Sequence, residues 1–554
     1  MKQILVLFIV LFGFCPIYGK EYREHVRPTK NLILMIPDGT SLGVLSAARW
    51  YLTYTKQASR LAIDPYLCGT VQTFSSNAPI GDSAPTTSCY MTGYPSQTGF
   101  VSTYPPTDSI NDLVVLEKGK AYQPLATLLE AAKIEQKKAV GLVVTVEFPH
   151  ATPADCAAHY YDRNNYPFLA SQMAYQNLDV LFGGGTSLLT EDIRTHLKKE
   201  NTLILENEVD AFRTSEDNSK IWALFGTKEH PYDLDRNPEN FPSLSEMTEK
   251  AIAHLSKNEK GFFLMVEGSK IDWSAHGNDA VGCITEYLAF DRAVAKAIDF
   301  AKRDGETTVV IVSDHGNSGF SIGNEKSTEG YDKKTLEELF SAVSKYKKTG
   351  EGLAILLGDS SADEMKTFFK SYTNIDLTAE ELTYLQSLKK GIADRYTEVL
   401  NSETLESAII QILNSRTYFG FTTGGHTGED VLLAVYHPQN DLPLGMNTNV
   451  ELHHYLYDVM GLQQPMDKLT STLFAKHTDV FEGVQWEIDA TQEFPLLRAK
   501  EGSNLLEIPA FKSVVFLNGK ELNIGSVTVY IDKNKTFYLP RKLRDILQIG
   551  EDKE

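Results

Sequence analysis

Five stretches of the chain are almost wholly apolar: Leu32–Ile36, Ala139–Val146, Gly261–Val266, Thr307–Val312 and Val431–Tyr436. Short apolar runs without polar alternation predict strands buried on both faces. Between them, stretches such as Gln123–Lys133 and Leu288–Lys302 carry a helical period. Strands alternating with helices predict an α/β fold, a mostly parallel central sheet with helices on both faces. A further short strand, Val180–Phe182, precedes Gly183-Gly184-Gly185. That glycine run reads as a structural turn, because no Lys-Ser/Thr follows it as a phosphate loop requires.

The alternation breaks in two places. From about 316 to 418, helical stretches such as Lys334–Tyr346 and Ala379–Lys390 replace it, which predicts an insertion over the active site, at the sheet edge where the strands' carboxyl ends lie. Near the end, Val514–Asn518, Ser526–Ile531 and Thr536–Leu539 read as short strands joined by Asn/Gly turns, a small β-rich C-terminal extension over 463–554. At the other end, Lys2, an apolar run from Ile4 to Phe14, and then Pro16 and Gly19 have the form of a secretory signal peptide over 1–19. The run is too short to span a bilayer, and no later segment reaches transmembrane length. A secreted or periplasmic protein is expected.

The first four apolar runs end in polar groups: Pro37-Asp38-Gly39, Glu147-Phe148-Pro149-His150, Glu267-Gly268 and Ser313-Asp314-His315-Gly316. Open α/β sheets bind ligands outside the carboxyl ends of their strands. Four distant parts of the chain therefore deliver carboxylates and imidazoles to one edge of one sheet.

Composition narrows the function. The 554 residues are 42% hydrophobic and 23% charged, as in an ordered globular protein, with a formal net charge of -20. No basic stretch offers itself to a nucleic-acid backbone. The acidity is either a solvated surface or, in part, a set of cation ligands. Cys68, Cys89, Cys156 and Cys283 follow the leader and admit either two disulfides or buried free thiols. No CxxC spacing points to a thiolate zinc site.

Taken singly, each candidate for chemistry has an ordinary reading. Asp272 and His276, four apart, either chelate a cation from one helix face or make a plain helix-surface contact. Asp314-His315 and Asp38 follow strands, where turn-forming residues are common. In Gly81-Asp82-Ser83-Ala84-Pro85-Thr86-Thr87, Pro85 fits a first helical turn, so Ser83 is either a capping serine or a nucleophile held at a helix N-terminus. A serine hydroxyl needs a base or a metal to become nucleophilic, and no histidine lies near it in sequence.

Together, the motifs resemble the alkaline phosphatases. The resemblance rests on Asp82-Ser83-Ala84 at a helix start and on His150-Ala-Thr152-Pro-Ala with Arg163 thirteen residues after His150. It also rests on Glu267, Asp272 and His276 at spacings of five and four, on Asp314-His315, and on Gly425-His426-Thr427-Gly428, and it covers about Asn31 to Leu462. It implies a catalytic domain over 20–462, a family that often forms homodimers, and hydrolysis of small phosphate monoesters through a phosphoserine on Ser83. It further implies a first zinc on Asp272, His276 and His426, a second on Asp38, Asp314 and His315, and a magnesium on Asp38, Thr152 and Glu267, with Arg163 clamping the phosphate. Two positions depart from the best-known bacterial pattern. His150, itself a candidate ligand, stands where many bacterial members carry Asp, which puts magnesium at the third site in question. Trp273 stands where a basic residue or imidazole is often found, so a less cationic phosphate pocket is expected. A sulfatase is disfavoured because Thr87 replaces the arginine of that signature. Two alternatives remain: a phosphodiesterase of the same superfamily, and a non-catalytic surface-binding protein on the same scaffold. The complete ligand set speaks against the second.

Overall fold

The computed structural model describes residues 26–216, 220–388 and 403–549. The expected signal peptide over 1–19 lies outside the described residues. Ten strands form the central sheet. They are β1 (Asn31–Ile36), β2 (Leu67–Gln72), β3 (Ala139–Glu147), β4 (Val180–Gly184), β5 (Thr202–Glu206), β6 (Lys220–Leu224), β7 (Phe262–Glu267), β8 (Thr307–Val312), β9 (Val431–Tyr436) and β10 (Gly445–Thr448). Their spatial order is β10-β2-β9-β8-β1-β7-β3-β4-β6-β5. All run parallel except β9, which is antiparallel to both β8 and β2. The five apolar runs are thus all strands of this sheet. The four strands not anticipated, β2, β5, β6 and β10, lie toward its margins. There partial exposure breaks the apolar pattern, as in β2 (LCGTVQ) and β10 (GMNT).

Alternation along β1 shows how both faces are covered. Leu32, Leu34 and Ile36 enter one hydrophobic cluster, while Ile33 and Met35 enter the other. The first cluster takes in residues of α2 (Ser83–Thr92), α3 (Ala151–Ala157) and α6 (Asn449–Met460). The second takes in α1 (Leu42–Tyr54) and α5 (Ala280–Asp304). Between β8 and β9 no strand joins the main sheet. This segment contributes Phe340, Leu353, Phe369 and Leu405 to the second cluster. The expected helix over Lys334–Tyr346 is shorter, Leu336–Phe340 followed by a single turn, and that over Ala379–Lys390 is described as Ala379–Ser387.

The C-terminal residues form small antiparallel sheets, as expected, though with more strands than the sequence suggested. Gln485–Asp489, Leu496–Glu501, Asn504–Pro509, Val514–Leu517 and Lys520–Asn523 make a five-stranded meander. Ala475–Lys476, Thr536–Leu539 and Val529–Ile531 make a second sheet. Leu497, Ile508 and Val529 join the first hydrophobic cluster, so this extension packs onto the same core as the central sheet. The four described cysteines are free thiols.

Leu264 on β7 is fully buried between the two strands that pair with β7. Leu264→Ala is expected to cost about 2–5 kcal/mol through lost burial and the cavity left behind. Denaturant unfolding checks this, and a loss below about 1 kcal/mol would contradict the packing.

Candidate active site

The strands β8, β1, β7 and β3 are consecutive neighbours, and their carboxyl ends carry the chemistry. β1 ends at Ile36, opposite Glu267 of β7. The chain then turns through Pro37, Asp38 and Gly39. Gly39 has φ +58, and a Cβ there would lie 2.3 Å from Asp272 Oδ1, so glycine is required for this close approach. β7 runs through Glu267 into α4 (Lys270–His276), which presents Asp272 and His276. β8 leads directly to Asp314 and His315. His150 caps α3, which contains Thr152. His426 returns from beyond the inserted segment because His426 and Thr427 pair antiparallel with Asn317 and Gly316.

Three groups of ligand atoms result: Asp272, His276 and His426; Asp38, Asp314 and His315; and Asp38, His150 and Glu267. In the first, Asp272 Oδ2 lies 3.4 Å from His276 Nε2, and Asp272 Oδ1 lies 3.7 Å from His426 Nε2. In the second, His315 Nε2 lies 3.5 Å from Asp38 Oδ1 and 3.4 Å from Asp314 Oδ2. Ligands about 2.0–2.2 Å from a shared tetrahedral ion stand roughly 3.3–3.6 Å apart, so these spacings suit a cation.

Hydrogen bonding supports the same reading. Nδ1 of His276 contacts the Gly424 carbonyl at 2.8 Å, Nδ1 of His426 the Gly81 carbonyl at 2.8 Å, and Nδ1 of His315 the Gly316 carbonyl at 3.1 Å. A carbonyl only accepts, so each Nδ1 carries the proton and donates it, assigning the tautomer and turning an Nε2 lone pair toward the cluster. Yet His276 Nε2 and His426 Nε2 face each other at 3.1 Å. Two lone pairs at that distance repel unless a cation or a proton lies between them. Asp38 Oδ1 and Oδ2, both Glu267 carboxylate oxygens, Thr152 Oγ1, Asp272 Oδ2 and Asp314 Oδ2 are buried without a hydrogen-bond partner. Buried polar atoms are normally satisfied, and here a bound ion is what would satisfy them.

The charges tell the same story. Burial pushes Asp38 well above the usual carboxylate range, and the neighbouring Asp314, Asp272 and Glu267 push it further. Burial raises Glu267 to about 7. For Asp272 burial acts upward too, but positive charge on the neighbouring His276, His426 and His315, when they are protonated, outweighs it and holds the group well below its ordinary value, as a cation in their place would. Burial, then the Arg163 charge, lowers His150 to about 3, so its ring is neutral and can act as a ligand.

Ser83 is the first residue of α2, with Asp82 at the N-cap, and is 1% exposed. Its Oγ lies 3.2 Å from His315 Nε2, a contact no spacing in the sequence revealed. Arg163 Nη1 donates to Asp82 Oδ1 at 2.7 Å, and Nη2 approaches His150 Nε2 at 3.4 Å. Asp82 also accepts from the Gly99 amide at 3.2 Å. Although its partly buried position acts upward, Asp82 is held down to about 2 by Arg163, His426 and His315. Its role in holding the guanidinium beside Ser83 was missed, because the two residues stand 81 positions apart. Asn317, whose Nδ2 donates to Asp272 Oδ1 at 2.7 Å, was missed as well. Its place three residues after Asp314 was the available signal. Trp273 is buried near His150, and Lys270 Nζ stands 5.3 Å over its indole. That ammonium donates to the His230 carbonyl at 2.9 Å and lies 3.4 Å from Glu351.

A mostly parallel α/β sheet that gathers carboxylates and imidazoles in cation-sized groups around a serine has the arrangement that metal-assisted hydrolysis requires. Comparison with known proteins makes this particular. The family model for alkaline phosphatase matches residues 29–462. Alkaline phosphatase 3 of Bacillus subtilis (strain 168) is 34% identical over 436 residues, covering 76% of this chain and 87% of its own. Alkaline phosphatase 4 of the same organism is 33% identical over 454 residues, covering 80% and 90%. Among solved structures, the cold-active alkaline phosphatase of Shewanella sp. superposes with a TM-score of 0.66 at 26% identity, covering 78% of this chain and 99% of its own. That of Thermus thermophilus, at 22% identity, gives 0.67 over 79% and 92%, a likeness of fold. The chain belongs to the alkaline phosphatase family, and its activity is that of a phosphatase. Among the described residues no helix is long and apolar enough to cross a membrane.

Crowded carboxylates make the site a burden without cations. A carboxyl raised from 4.5 to about 7 on folding makes the folded state less favourable as pH climbs through that interval. The EDTA-treated protein should therefore lose thermal stability between pH 5 and pH 8, and Glu267→Gln should raise its melting temperature at pH 8 by about 2 °C or more. The same variant should melt lower than wild type when zinc and magnesium are supplied. Differential scanning calorimetry in both states checks the two opposite signs.

Proposed function

We propose that the protein hydrolyses phosphate monoesters through a phosphoserine on Ser83, using cations on the three ligand groups. The observation that carries this reading is the placement of Ser83 Oγ, at a helix N-terminus, 3.2 Å from a nitrogen of the Asp38–Asp314–His315 group. Cations held there supply positive charge that lowers the pKa of a nearby hydroxyl or water and stabilises oxyanions.

The chain's own groups do the positioning. Asp82 fixes the guanidinium of Arg163, whose planar fork matches two oxygens of a phosphate. The amides at the start of α2 and its dipole favour the same anion. Ser83 Oγ forms a bond to phosphorus as the ester P–O bond breaks, and the alcohol leaves with a proton. Water then attacks phosphorus and releases phosphate, restoring Ser83. Buried imidazoles with fixed tautomers keep the reacting groups in place without reorganisation.

The donor sets favour particular ions. The two groups with imidazole Nε2 atoms suit zinc, as two zinc per chain. Asp38, Thr152 and Glu267 offer oxygens that suit magnesium, but His150 adds a nitrogen donor that shifts preference toward zinc. A variant of the alkaline phosphatase from the Antarctic bacterium TAB5, 23% identical with a TM-score of 0.54, has been solved with Mg bound in its M3 site. We further propose export from the cytoplasm, on the pattern of residues 1–19.

Ser83→Ala is expected to lower kcat by about 10³-fold or more toward simple monoesters and to abolish acid-stable labelling by radioactive phosphate. Retained labelling would overturn the covalent step. Metal analysis should return two zinc per chain, with activity lost in EDTA and restored by zinc. His150→Asp should make full activity more dependent on added magnesium; an unchanged magnesium response would remove His150 from the third site.

A further inference from the structure

A connected band of aromatic rings runs from the C-terminal extension to Phe100, beside the Gly99 backbone that bonds Asp82 and Arg163. Phe100, Tyr122 and Tyr161 touch one another, with ring centroids 5.9, 6.1 and 5.8 Å apart. All three are only partly buried. They sit beside the phosphate clamp. Phe100 follows Gly99, whose amide donates to Asp82 and whose carbonyl accepts from the Arg163 amide at 2.8 Å. Tyr161 lies two residues before Arg163.

The backbone is constrained to make this arrangement. Tyr122 has φ +65, in the left-handed region that bulky residues avoid. Among the described residues the one other aromatic side chain with positive φ is Phe511, at φ 63. Phe511 belongs to the same band. It stacks on Phe168 at 4.2 Å and meets Tyr160 at 5.8 Å, and Tyr160 lies 4.6 Å from Tyr161. Such strain persists where the surroundings enforce it, and it concentrates at functional sites.

The tip of a hairpin in the extension braces the exposed end. Between Val529–Ile531 and Thr536–Leu539, Asp532 Oδ1 accepts from Tyr161 Oη at 2.6 Å and from Tyr160 Oη at 3.3 Å. Lys533 Nζ stands 5.3 Å over the Tyr161 ring, and Asn534 Nδ2 donates to the Ala121 carbonyl beside Tyr122 at 3.5 Å. Tyr160 is buried in the core, whereas Tyr161 and Tyr122 are only partly buried, so the contacts tie a partly exposed ring surface to the core.

We infer that Phe100, Tyr122 and Tyr161, braced by Asp532, form a leaving-group subsite that favours phosphate monoesters carrying a flat ring, either aryl phosphates or nucleoside monophosphates. A half-exposed set of ring faces and edges binds planar groups by stacking and excludes water from them. The inference rests on the proposed monoesterase activity and adds a preference to it.

The test compares kcat/KM for AMP, phenyl phosphate and glycerol phosphate in wild type and in Tyr122→Gly. Glycine adopts φ +65 without strain, so this variant removes the ring and spares the backbone. The kcat/KM ratios of AMP and of phenyl phosphate to glycerol phosphate are expected to fall about tenfold. A fall for AMP alone assigns the subsite to a nucleobase, and a fall for phenyl phosphate alone to an aryl ring. Asp532→Ala should move the same ratios in the same direction by a smaller factor, and competitive inhibition by adenosine or phenol should weaken in parallel. Ratios within about twofold of wild type in both Tyr122→Gly and Phe100→Leu would overturn the subsite while leaving the hydrolase reading intact. Absence of glycerol phosphate hydrolysis by the zinc-loaded wild type would overturn the hydrolase reading itself.

Discussion

The structure turns on one constraint: four carboxylates, Asp38, Glu267, Asp272 and Asp314, converge at a dry sheet edge where their mutual repulsion is not screened by water. Burial of a charge is costly unless it is paired. Here the neighbouring donors within the chain are four imidazoles, and backbone carbonyls hold three of them, His276, His315 and His426, with a nitrogen lone pair turned inward. Imidazole lone pairs do not neutralise carboxylates. The two meet most favourably on cations, and the spacings fit that arrangement. The remaining features of the site follow from it. Gly39 must be a glycine because Asp272 comes so close. Asn317 donates to Asp272 Oδ1, which fixes the carboxylate that faces His276 and His426.

This constraint also explains the sheet. Four neighbouring parallel strands are the most economical way to bring residues from positions 38, 150, 267 and 314 to one place, since parallel strands end at a common edge. The strands that carry the ligands are held on both faces: β1, β7 and β8 are buried along their whole length. Only His426 arrives otherwise, carried by a two-residue pairing with the segment after His315. The inserted segment leaves the main sheet before that pairing and returns with it, so it can pack elsewhere without disturbing the ligand set.

Much of this was legible in the sequence, and the reason is physical. Strands buried on both faces write themselves as apolar runs, so β1, β3, β7, β8 and β9 stood out, and so did the polar residues at the ends of the first four. Strands near the margins did not. β2 and β10 are partly exposed, and the outer meander in the extension has strands such as Gln485–Asp489 with most side chains in water. Asp38, His150, Glu267, Asp314 and His315 were legible because they close or follow such runs, and Asp272 and His276 because of their helical spacing, whereas Thr152 and His426 were legible only through the family resemblance. What could not be read was pairing across the fold: Asp82 with Arg163, Ser83 with His315, and the contacts of Asp532 with Tyr160 and Tyr161. Each joins residues 81 or more positions apart, through loops whose course no periodicity encodes.

The extension shows why such pairings matter. From its composition it read as a small appendage of short strands, with no function derivable from the pattern. In the fold its apolar residues continue the core beneath α2 and α3, and its hairpin tip reaches the rings beside Gly99 and Arg163. A phosphate held as proposed, by Arg163 and helix amides, would need little from the rest of a monoester. Discrimination among leaving groups must come from surfaces beyond the phosphate, and those are best placed on elements that can vary without disturbing the metal ligands. The extension meets that condition, because none of the three ligand groups draws a residue from it. Its link to the catalytic edge is a band of rings, two of them held at positive φ, and that strain is sustained by packing against the core that positions Ser83.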